Sequence, residues 1–221
     1  VMIFFATCNS VEYYYQILTH MINHHIGNSL KGDDKTEITY KLHSKINQQK
    51  RNKEYSSFIN AGKGILLTTD LASRGIDVPN LDLVIQFDPP KNEEVFVHRV
   101  GRTARVGKKG ESILLISNSE VQFLNYLYNK HIRSMIEMRI CTETISNSNQ
   151  TNSQSSKFSQ ITITKPLLFS EFTDFVNLVN ESMMKINLSD KWIYDKAVKT
   201  FVSYIKFYSE HDLNYIFDIN L

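Results

Sequence analysis

Strand-like apolar runs alternate with stretches of helical periodicity over the first 130 residues of the chain. The predicted strands are residues 1–6, 36–42, 65–67, 83–85 and 112–116. Between them, the spacing predicts helices that begin near Val11 and after Asn47, and two more at residues 93–101 and 121–130. Because strands alternate with helices, the expected fold class is α/β, a parallel sheet with helices on both faces.

The composition changes after Arg139. Residues 146–160 are almost entirely Ser, Asn, Gln, Thr and Lys with one Phe, too few apolar side chains to offset the entropy of ordering, which is typical of a linker. Beyond them, two amphipathic helices are predicted. We therefore expect a sheet domain at residues 1–140, a polar linker at 141–165 and a small helical extension at 166–221.

The two predicted helices of the extension need a surface for their apolar faces, because helices of this length are marginal alone in water. The first carries Leu168, Phe172, Phe175, Val179 and Met183, and the second carries Tyr194, Val198, Phe201, Ile205 and Tyr208. We expect these stripes to dock on the sheet domain. Burial of Phe201 would then stabilise the whole chain.

Composition narrows the classes of function. The net charge of +2 does not by itself predict nucleic-acid binding, which has to rest on local clusters. Cys8 and Cys141 are far apart, which predicts neither a disulfide framework nor a metal site and favours a reducing compartment. No apolar run approaches the roughly 20 residues that cross a bilayer, so no membrane is expected. The opening run, residues 1–6, is typical of a strand rather than a signal peptide, and we interpret the sequence as part of a longer protein.

Arginines recur at every third position in one basic segment, as Arg99, Arg102 and Arg105. Residues 98–109 contain five Lys or Arg and no acid, and the glycines among them break the helix, so that the later arginines can turn toward one point. A guanidinium group suits phosphate oxygens better than an ammonium does. The segment therefore indicates a phosphate site, with a solvated basic surface as the alternative.

The pattern His-Arg-x-Gly-Arg-x-x-Arg at residues 98–105 resembles motif VI of superfamily 2 helicases, in the form typical of DEAD-box RNA helicases. Residues 3–7 resemble motif IV, residues 42–51 motif IVa and residues 68–77 motif V, in the order of the family. One departure is Ser44, where the family usually has Gly. The resemblance implies a second RecA-like domain followed by a helical extension.

This resemblance implies a role in ATP hydrolysis for several residues. Arg102 and Arg105 would be the arginine fingers that stabilise transition-state charge and contact ATP, and Asp77 would bind the ribose. His98 and Arg99 would couple the cleft to RNA. The phosphate-binding loop and the Mg²⁺ ligands belong to the first RecA-like domain in this family, so the chain alone is expected to be inactive and to hold no metal.

The resemblance also implies RNA contacts by Lys45, Arg51, Thr69 and Gly75. Contacts to backbone phosphates position RNA without reading its sequence. Residues 196–211 resemble the extension of DEAD-box helicases that assemble the large ribosomal subunit. The expected partners are therefore pre-ribosomal RNA, the pre-ribosomal particle and the first RecA-like domain, in the nucleus and nucleolus.

Two rival functions stay open on the sequence alone. One is a non-catalytic RNA-binding or scaffold protein that retains only this domain. The other is a related helicase that acts on DNA. The favoured interpretation is the C-terminal half of an ATP-dependent RNA helicase that remodels RNA in ribosome biogenesis.

Overall fold

The computed structural model describes residues 1–25, 38–70, 81–104, 110–130 and 169–218. Within these ranges, five short strands form one sheet in the order β2-β3-β1-β4-β5, and all neighbouring pairs are parallel. The strands are β1 Met2–Phe4, β2 Thr39–Leu42, β3 Ile65–Thr68, β4 Leu83–Gln86 and β5 Glu111–Leu114. The predicted fold class is confirmed.

Six α-helices flank or follow the strands in the described ranges. They are α1 Cys8–His25, α2 Gln48–Asn60, α3 Glu93–Val100, α4 Gln122–Asn129, α5 Phe169–Ser189 and α6 Lys191–Ser209. Local signals fix several of their ends. Asn47 caps α2 by accepting a hydrogen bond from the Lys50 amide at 2.9 Å, and Gly62 follows the helix with φ of +67°, a conformation that favours glycine. The predicted start of a helix after Asn47 is confirmed.

The two faces of the sheet carry separate cores because side chains alternate along each strand. Phe4 of β1 points to one face, where it packs with Phe58 of α2. Phe5, directly after β1, packs on the other face with Val11 of α1 and Leu67 of β3. Helices therefore cover both faces, as the alternation of predicted strands and helices indicated.

Helix α1 begins earlier than the apolar spacing predicted. Its first residue is Cys8 rather than a residue near Val11, because the Thr7 hydroxyl caps the helix and accepts a hydrogen bond from the Ser10 amide at 3.0 Å. The predicted linker at 141–165 and Leu168 lie outside the described residues.

The extension docks on the sheet domain, as predicted, but through a different face of α6. Phe201 is 65% exposed, and Tyr194, Val198 and Ile205 are exposed as well, so the prediction of their burial is wrong. Only Tyr208 of that stripe is buried.

Small residues on the opposite side of α6 make the contact with α1. The Thr200 hydroxyl donates to the Asn9 carbonyl at 2.9 Å, and the Ser203 and Thr7 hydroxyls lie 3.1 Å apart. Short side chains allow the two helices to approach closely, which long aromatic side chains such as that of Phe201 would prevent. The docking face of α6 is therefore the side that carries these short side chains, and not the most apolar stripe.

The segment after α6 closes a separate core against α3 and α4. Phe217 is 1% exposed and packs with Phe123 of α4 at a ring-centroid distance of 5.3 Å. Tyr208 lies in the same core, and its hydroxyl donates to Glu120, just before α4. The end of the extension thus packs against α3 and α4 of the sheet domain.

The difference in exposure predicts a large loss of stability when one phenylalanine is replaced and a small loss when the other is replaced. Phe217→Ala removes a fully buried ring and should destabilise the chain by about 3 kcal/mol. Phe201→Ala should change the free energy of unfolding by less than about 0.5 kcal/mol, because exposed side chains contribute little. Urea unfolding of the two variants measures both values. Equal losses, or a larger loss for Phe201, would contradict the docking face.

The described residues contain neither a membrane-spanning helix nor a metal-binding cluster. None of the helices there is both long and apolar enough to traverse a bilayer. No group of three or more His, Cys, Asp or Glu side chains there is arranged to hold a metal ion.

Candidate functional site

The carboxyl ends of the parallel strands meet along one edge of the sheet, where open α/β sheets bind their ligands. Thr69 and Asp70 follow β3, Asp88 follows β4, and His43 follows β2. The Ala6 amide, just after β1, donates to the Asp88 carboxylate at 2.7 Å and joins the ends of β1 and β4. Polar side chains that follow three strands, and a backbone amide that follows the fourth, thus converge at one edge.

Arg99 of α3 is the most deeply buried charge at this edge, at 1% exposure. Its Nε and Nη2 donate to the two carboxylate oxygens of Asp70 at 2.7 and 2.8 Å, and its Nη1 donates to the Asp88 carbonyl at 2.7 Å. The guanidinium group also lies 5.2 Å from the ring centroid of Phe4. Arg99 therefore ties the end of β3 to the end of β4 across the central strand β1.

Asp88 sits in an unusual electrostatic environment. Burial raises the pKa of its carboxyl group to about 6, opposed by the hydrogen bond from Ala6 and by the charge of Arg99. His98, the residue before Arg99 in the last turn of α3, is exposed to solvent. Of these two residues, only Arg99 reaches the interior.

Arg102 follows the end of α3 and is held by its backbone. Its carbonyl accepts a hydrogen bond from the Leu81 amide at 3.4 Å, and the Thr103 hydroxyl donates to the Leu81 carbonyl. Ala104 adopts φ of +54°, and a side chain on Gly110 would lie 1.9 Å from the Thr103 hydroxyl. These constraints fix where the chain enters and leaves the segment that contains Arg105.

The residues predicted to bind RNA lie along the same edge of the sheet, near β2 and β3. Lys45 is exposed, and its Nζ donates to the Asn9 side chain at 3.4 Å. Arg51 lies in the first turn of α2 and is half-buried. Thr69 is 6% exposed, and its hydroxyl has no hydrogen-bond partner among the described residues. Leu42 of β2 pairs with Thr68 of β3, which brings these segments together.

Three predicted site residues, Gly75, Asp77 and Arg105, lie outside the described residues. The roles assigned to them, and to the other site residues, stay predictions. Leu81 and Thr103 are joined by a parallel bridge, so Leu81 lies beside the backbone next to Arg102.

The sequence did not indicate the partners that organise this edge. Asp70 and Arg99 are 29 residues apart, and their pairing depends on the order of strands in the sheet. A second cluster was also missed, in which Glu12 of α1 accepts hydrogen bonds from Lys41 at 2.8 Å and His43 at 2.7 Å. Contacts with His43 and Lys41 lower the pKa of Glu12 to about 2 despite its partial burial.

Known families match both parts of the chain. Residues 1–107 match the helicase conserved C-terminal domain, and residues 190–221 match the C-terminal extension of proteins like the ATP-dependent rRNA helicase SPB4. Among solved structures, DEAD-box helicase domain 2 of Mss116p, bound to an RNA duplex, aligns at 32% identity with a TM-score of 0.50. The match covers 59% of this chain and 46% of that one. The chain belongs to the DEAD-box helicase family.

Curated DEAD-box relatives extend the likeness over the whole chain. ATP-dependent RNA helicase HAS1 of Pyricularia oryzae is 32% identical over 100% of this chain and 30% of that protein. A probable ATP-dependent RNA helicase, the DDX55 homolog of Caenorhabditis elegans, is 29% identical over 98% of this chain and 30% of that protein. The chain therefore spans about 30% of the length of these relatives. The parallel sheet is that of a RecA-like domain of a DEAD-box helicase.

Proposed function

We propose that this chain is the C-terminal half of an ATP-dependent RNA helicase and that it acts together with a first RecA-like domain. The observation that carries the proposal is the position of Arg99 in α3. Its side chain binds Asp70, beside the residues proposed to bind RNA, and α3 ends just before Arg102. One buried side chain thus connects two parts of the same sheet edge. Such a connection is needed if RNA binding and ATP hydrolysis are coupled.

In this proposal the nucleotide lies between the two domains, against Arg102 and Arg105. Phosphoryl transfer to water shifts negative charge among the phosphate oxygens, and arginines placed there stabilise the transition state. The hydrogen bonds of the Arg102 carbonyl and the Thr103 hydroxyl to the Leu81 backbone hold Arg102 in place before ATP arrives. Asp77 would accept hydrogen bonds from the ribose. Mg²⁺, bound by carboxylates of the first domain, would neutralise charge on the phosphates.

RNA would lie along the β2–β3 side of the edge. Lys45 and Arg51 supply positive charge for backbone phosphates, and the unpartnered hydroxyl of Thr69 is suited to a phosphate or a ribose oxygen. Gly75 would allow close approach of the backbone in the segment that follows. Contacts with 2′-hydroxyl groups would favour RNA over DNA.

Coupling between the two sites would pass through Thr69, Asp70, Arg99 and Arg102. Thr69 is covalently next to Asp70, and both carboxylate oxygens of Asp70 accept hydrogen bonds from Arg99. In the last turn of α3, the Arg99 carbonyl accepts a hydrogen bond from the Arg102 amide at 3.1 Å. An RNA strand that shifts the end of β3 would therefore act on α3. Exposed His98, in the same turn, would contact the opposing domain.

The biological setting we infer is ribosome assembly in the nucleolus, with pre-ribosomal RNA and the pre-ribosomal particle as partners. The match of residues 190–221 to the extension of SPB4-like rRNA helicases supports this setting. The closeness of α6 to the RNA side is a second support, because Asn9 contacts both Lys45 and the Lys199 carbonyl of α6.

The proposed RNA surface predicts weak, sequence-tolerant binding that falls steeply with salt. Replacing Lys45 and Arg51 together by Ala removes two phosphate contacts, and the slope of log affinity against log salt should flatten by about 1.4 for single-stranded RNA. Fluorescence anisotropy with two unrelated single-stranded RNAs, titrated at several salt concentrations, measures the slope.

Lys53→Ala is the matched control, because Lys53 is exposed on α2 but lies about 200° around the helix from Arg51. Its slope should match that of the unmodified chain. Affinity that does not depend on salt, or that follows the base sequence, would refute the proposed surface. A preference for DNA of the same sequence would favour the rival DNA helicase.

A further inference from the structure

Cys8 has surroundings that the proposed helicase mechanism does not use. It is the first residue of α1, is half-buried, and its sulfur lies 3.4 Å from the Ser44 hydroxyl. The His43 ring interacts with the same thiol. His43 in turn bonds Glu12 through Nε2 at 2.7 Å. The order Cys8, His43, Glu12 is that of a nucleophile, its base and the group that orients the base.

The unused nitrogen of His43 is the second feature that points to chemistry. His43 is 2% exposed, its Nε2 is occupied by Glu12, and its Nδ1 is buried without a hydrogen bond of good geometry in the described residues. Nδ1 is thus the nitrogen available to the Cys8 thiol. Leaving a buried imidazole nitrogen without a partner is unfavourable, and a hydrogen bond or a proton from the neighbouring thiol would satisfy it.

The electrostatics favour charge separation between Cys8 and His43. The interaction with His43, followed by the Ser44 contact, outweighs burial and lowers the pKa of Cys8 to about 7. Burial lowers the pKa of His43, but its contacts with Cys8 and Glu12 outweigh burial and leave that pKa above its ordinary value. The amides at the start of α1 add a positive field at the sulfur.

We propose that Cys8 is a modification site that reacts with small disulfides, and that the mixed disulfide formed there obstructs the RNA edge. The Cys8 sulfur bonds to one sulfur of the disulfide, the S–S bond breaks, and the second sulfur leaves with the electron pair as a thiolate. The thiol proton passes to His43 and then to the leaving thiolate. Cys8 is oxidised and the disulfide is reduced, and excess thiol reverses the step.

The effect on RNA rests on the proposed function and follows from the position of Cys8. Ser44 contacts the sulfur, the next residue is Lys45, and Lys45 contacts Asn9, which follows Cys8. A tripeptide such as glutathione attached to Cys8 would therefore occupy the space in front of Lys45 and bring negative charge to it. RNA would be repelled where a phosphate is expected.

The reactivity is tested with the neutral disulfide 4,4′-dithiodipyridine at pH 7, on the 221-residue chain carrying Cys141→Ser so that Cys8 is its only thiol. The reference is a peptide of residues 6–10. At pH 7 a few per cent of the peptide thiol is ionised, compared with about one half of the Cys8 thiol in the folded chain. A thiolate of lower pKa is a weaker nucleophile, so the expected gain in reaction rate is only about 3- to 6-fold. The folded chain should react faster than the peptide by this factor, although half-burial alone would make it slower.

His43→Gln should remove the rate advantage, and Glu12→Gln should reduce it. If His43→Gln does not fold, the comparison between the chain and the peptide still decides. A folded chain that reacts no faster than the peptide overturns the proposal. So does a His43→Gln variant that is folded, by circular dichroism, and reacts as fast as its parent.

The effect on RNA is tested with oxidised glutathione and a single-stranded RNA. Modification should weaken RNA affinity by about 5-fold, dithiothreitol should restore it, and Cys8→Ser should bind RNA normally without responding to glutathione. Unchanged affinity of the fully modified chain would overturn the regulatory part of the proposal. Failure of the unmodified chain to bind RNA would overturn the proposed function instead, and the reaction rates would still decide on Cys8.

Discussion

Arg99→Ala should destabilise the chain by about 3 to 5 kcal/mol, the loss expected when one partner of a buried ion pair is removed. The substitution abolishes three hydrogen bonds at once, two to the Asp70 carboxylate and one to the Asp88 carbonyl. It also leaves a cavity against Phe4. Urea unfolding followed by circular dichroism measures the loss.

A double-mutant cycle separates the ion pair from the rest of this effect. Arg99→Ala, Asp70→Ala and the double variant should give a coupling energy of about 2 kcal/mol or more, because each single variant leaves the charge of the other residue unpaired. Arg99→Lys keeps the charge but lacks the fork that binds both oxygens, so its loss should be intermediate. The control is His98→Ala, an exposed neighbour that should cost less than about 0.5 kcal/mol. Additive losses would contradict a direct Arg99–Asp70 pair.

The elements of the sheet domain could be predicted because their signals are local. Asn47 and Gly62 mark the ends of α2 within the same stretch of sequence, and apolar runs locate the strands. The start of α1 was missed because the signal there is a hydroxyl cap on Thr7 rather than an apolar position. Periodicity does not detect such caps.

The docking face of α6 could not be predicted because it depends on the shape of the partner surface. Periodicity identifies the most apolar stripe, which contains Phe201, and the structure leaves that stripe exposed. The buried side carries Thr200 and Ser203, which make hydrogen bonds with α1. Polar residues that pack closely are invisible to a pattern based on hydrophobicity alone.

The sequence indicated which residues belong to the candidate site, but not which of them contact each other. Motif resemblance indicated Arg99 and Arg102, but the pairing of Arg99 with Asp70 follows from the neighbourhood of β3, β1 and β4 in the sheet. The Cys8 and His43 cluster likewise depends on β2, which brings His43 close to the start of α1. These contacts join residues that are distant along the chain, and nothing in the local sequence specifies them.

In a longer protein that includes the first RecA-like domain, Arg102→Ala should lower the kcat of RNA-stimulated ATP hydrolysis by about 10² or more. A group that acts on transition-state charge changes kcat, and the backbone hydrogen bond between Arg102 and Leu81 does not depend on the side chain that is removed. Arg102→Lys keeps the charge but lacks the planar guanidinium group, so it should recover only part of the rate. Arg51→Ala provides the contrast, since it should raise the RNA concentration needed for half-maximal rate and leave kcat at saturating RNA nearly unchanged.

The most direct test of a composite site is RNA-stimulated ATP turnover measured side by side for three samples. They are the longer protein, the same protein with Arg102→Ala, and the 221-residue chain alone. We expect turnover that depends on RNA in the first, a loss of about 10² or more in the second and no turnover above background in the third. Turnover by the chain alone that depends on Arg102, or a loss below about threefold in Arg102→Ala, would contradict the account.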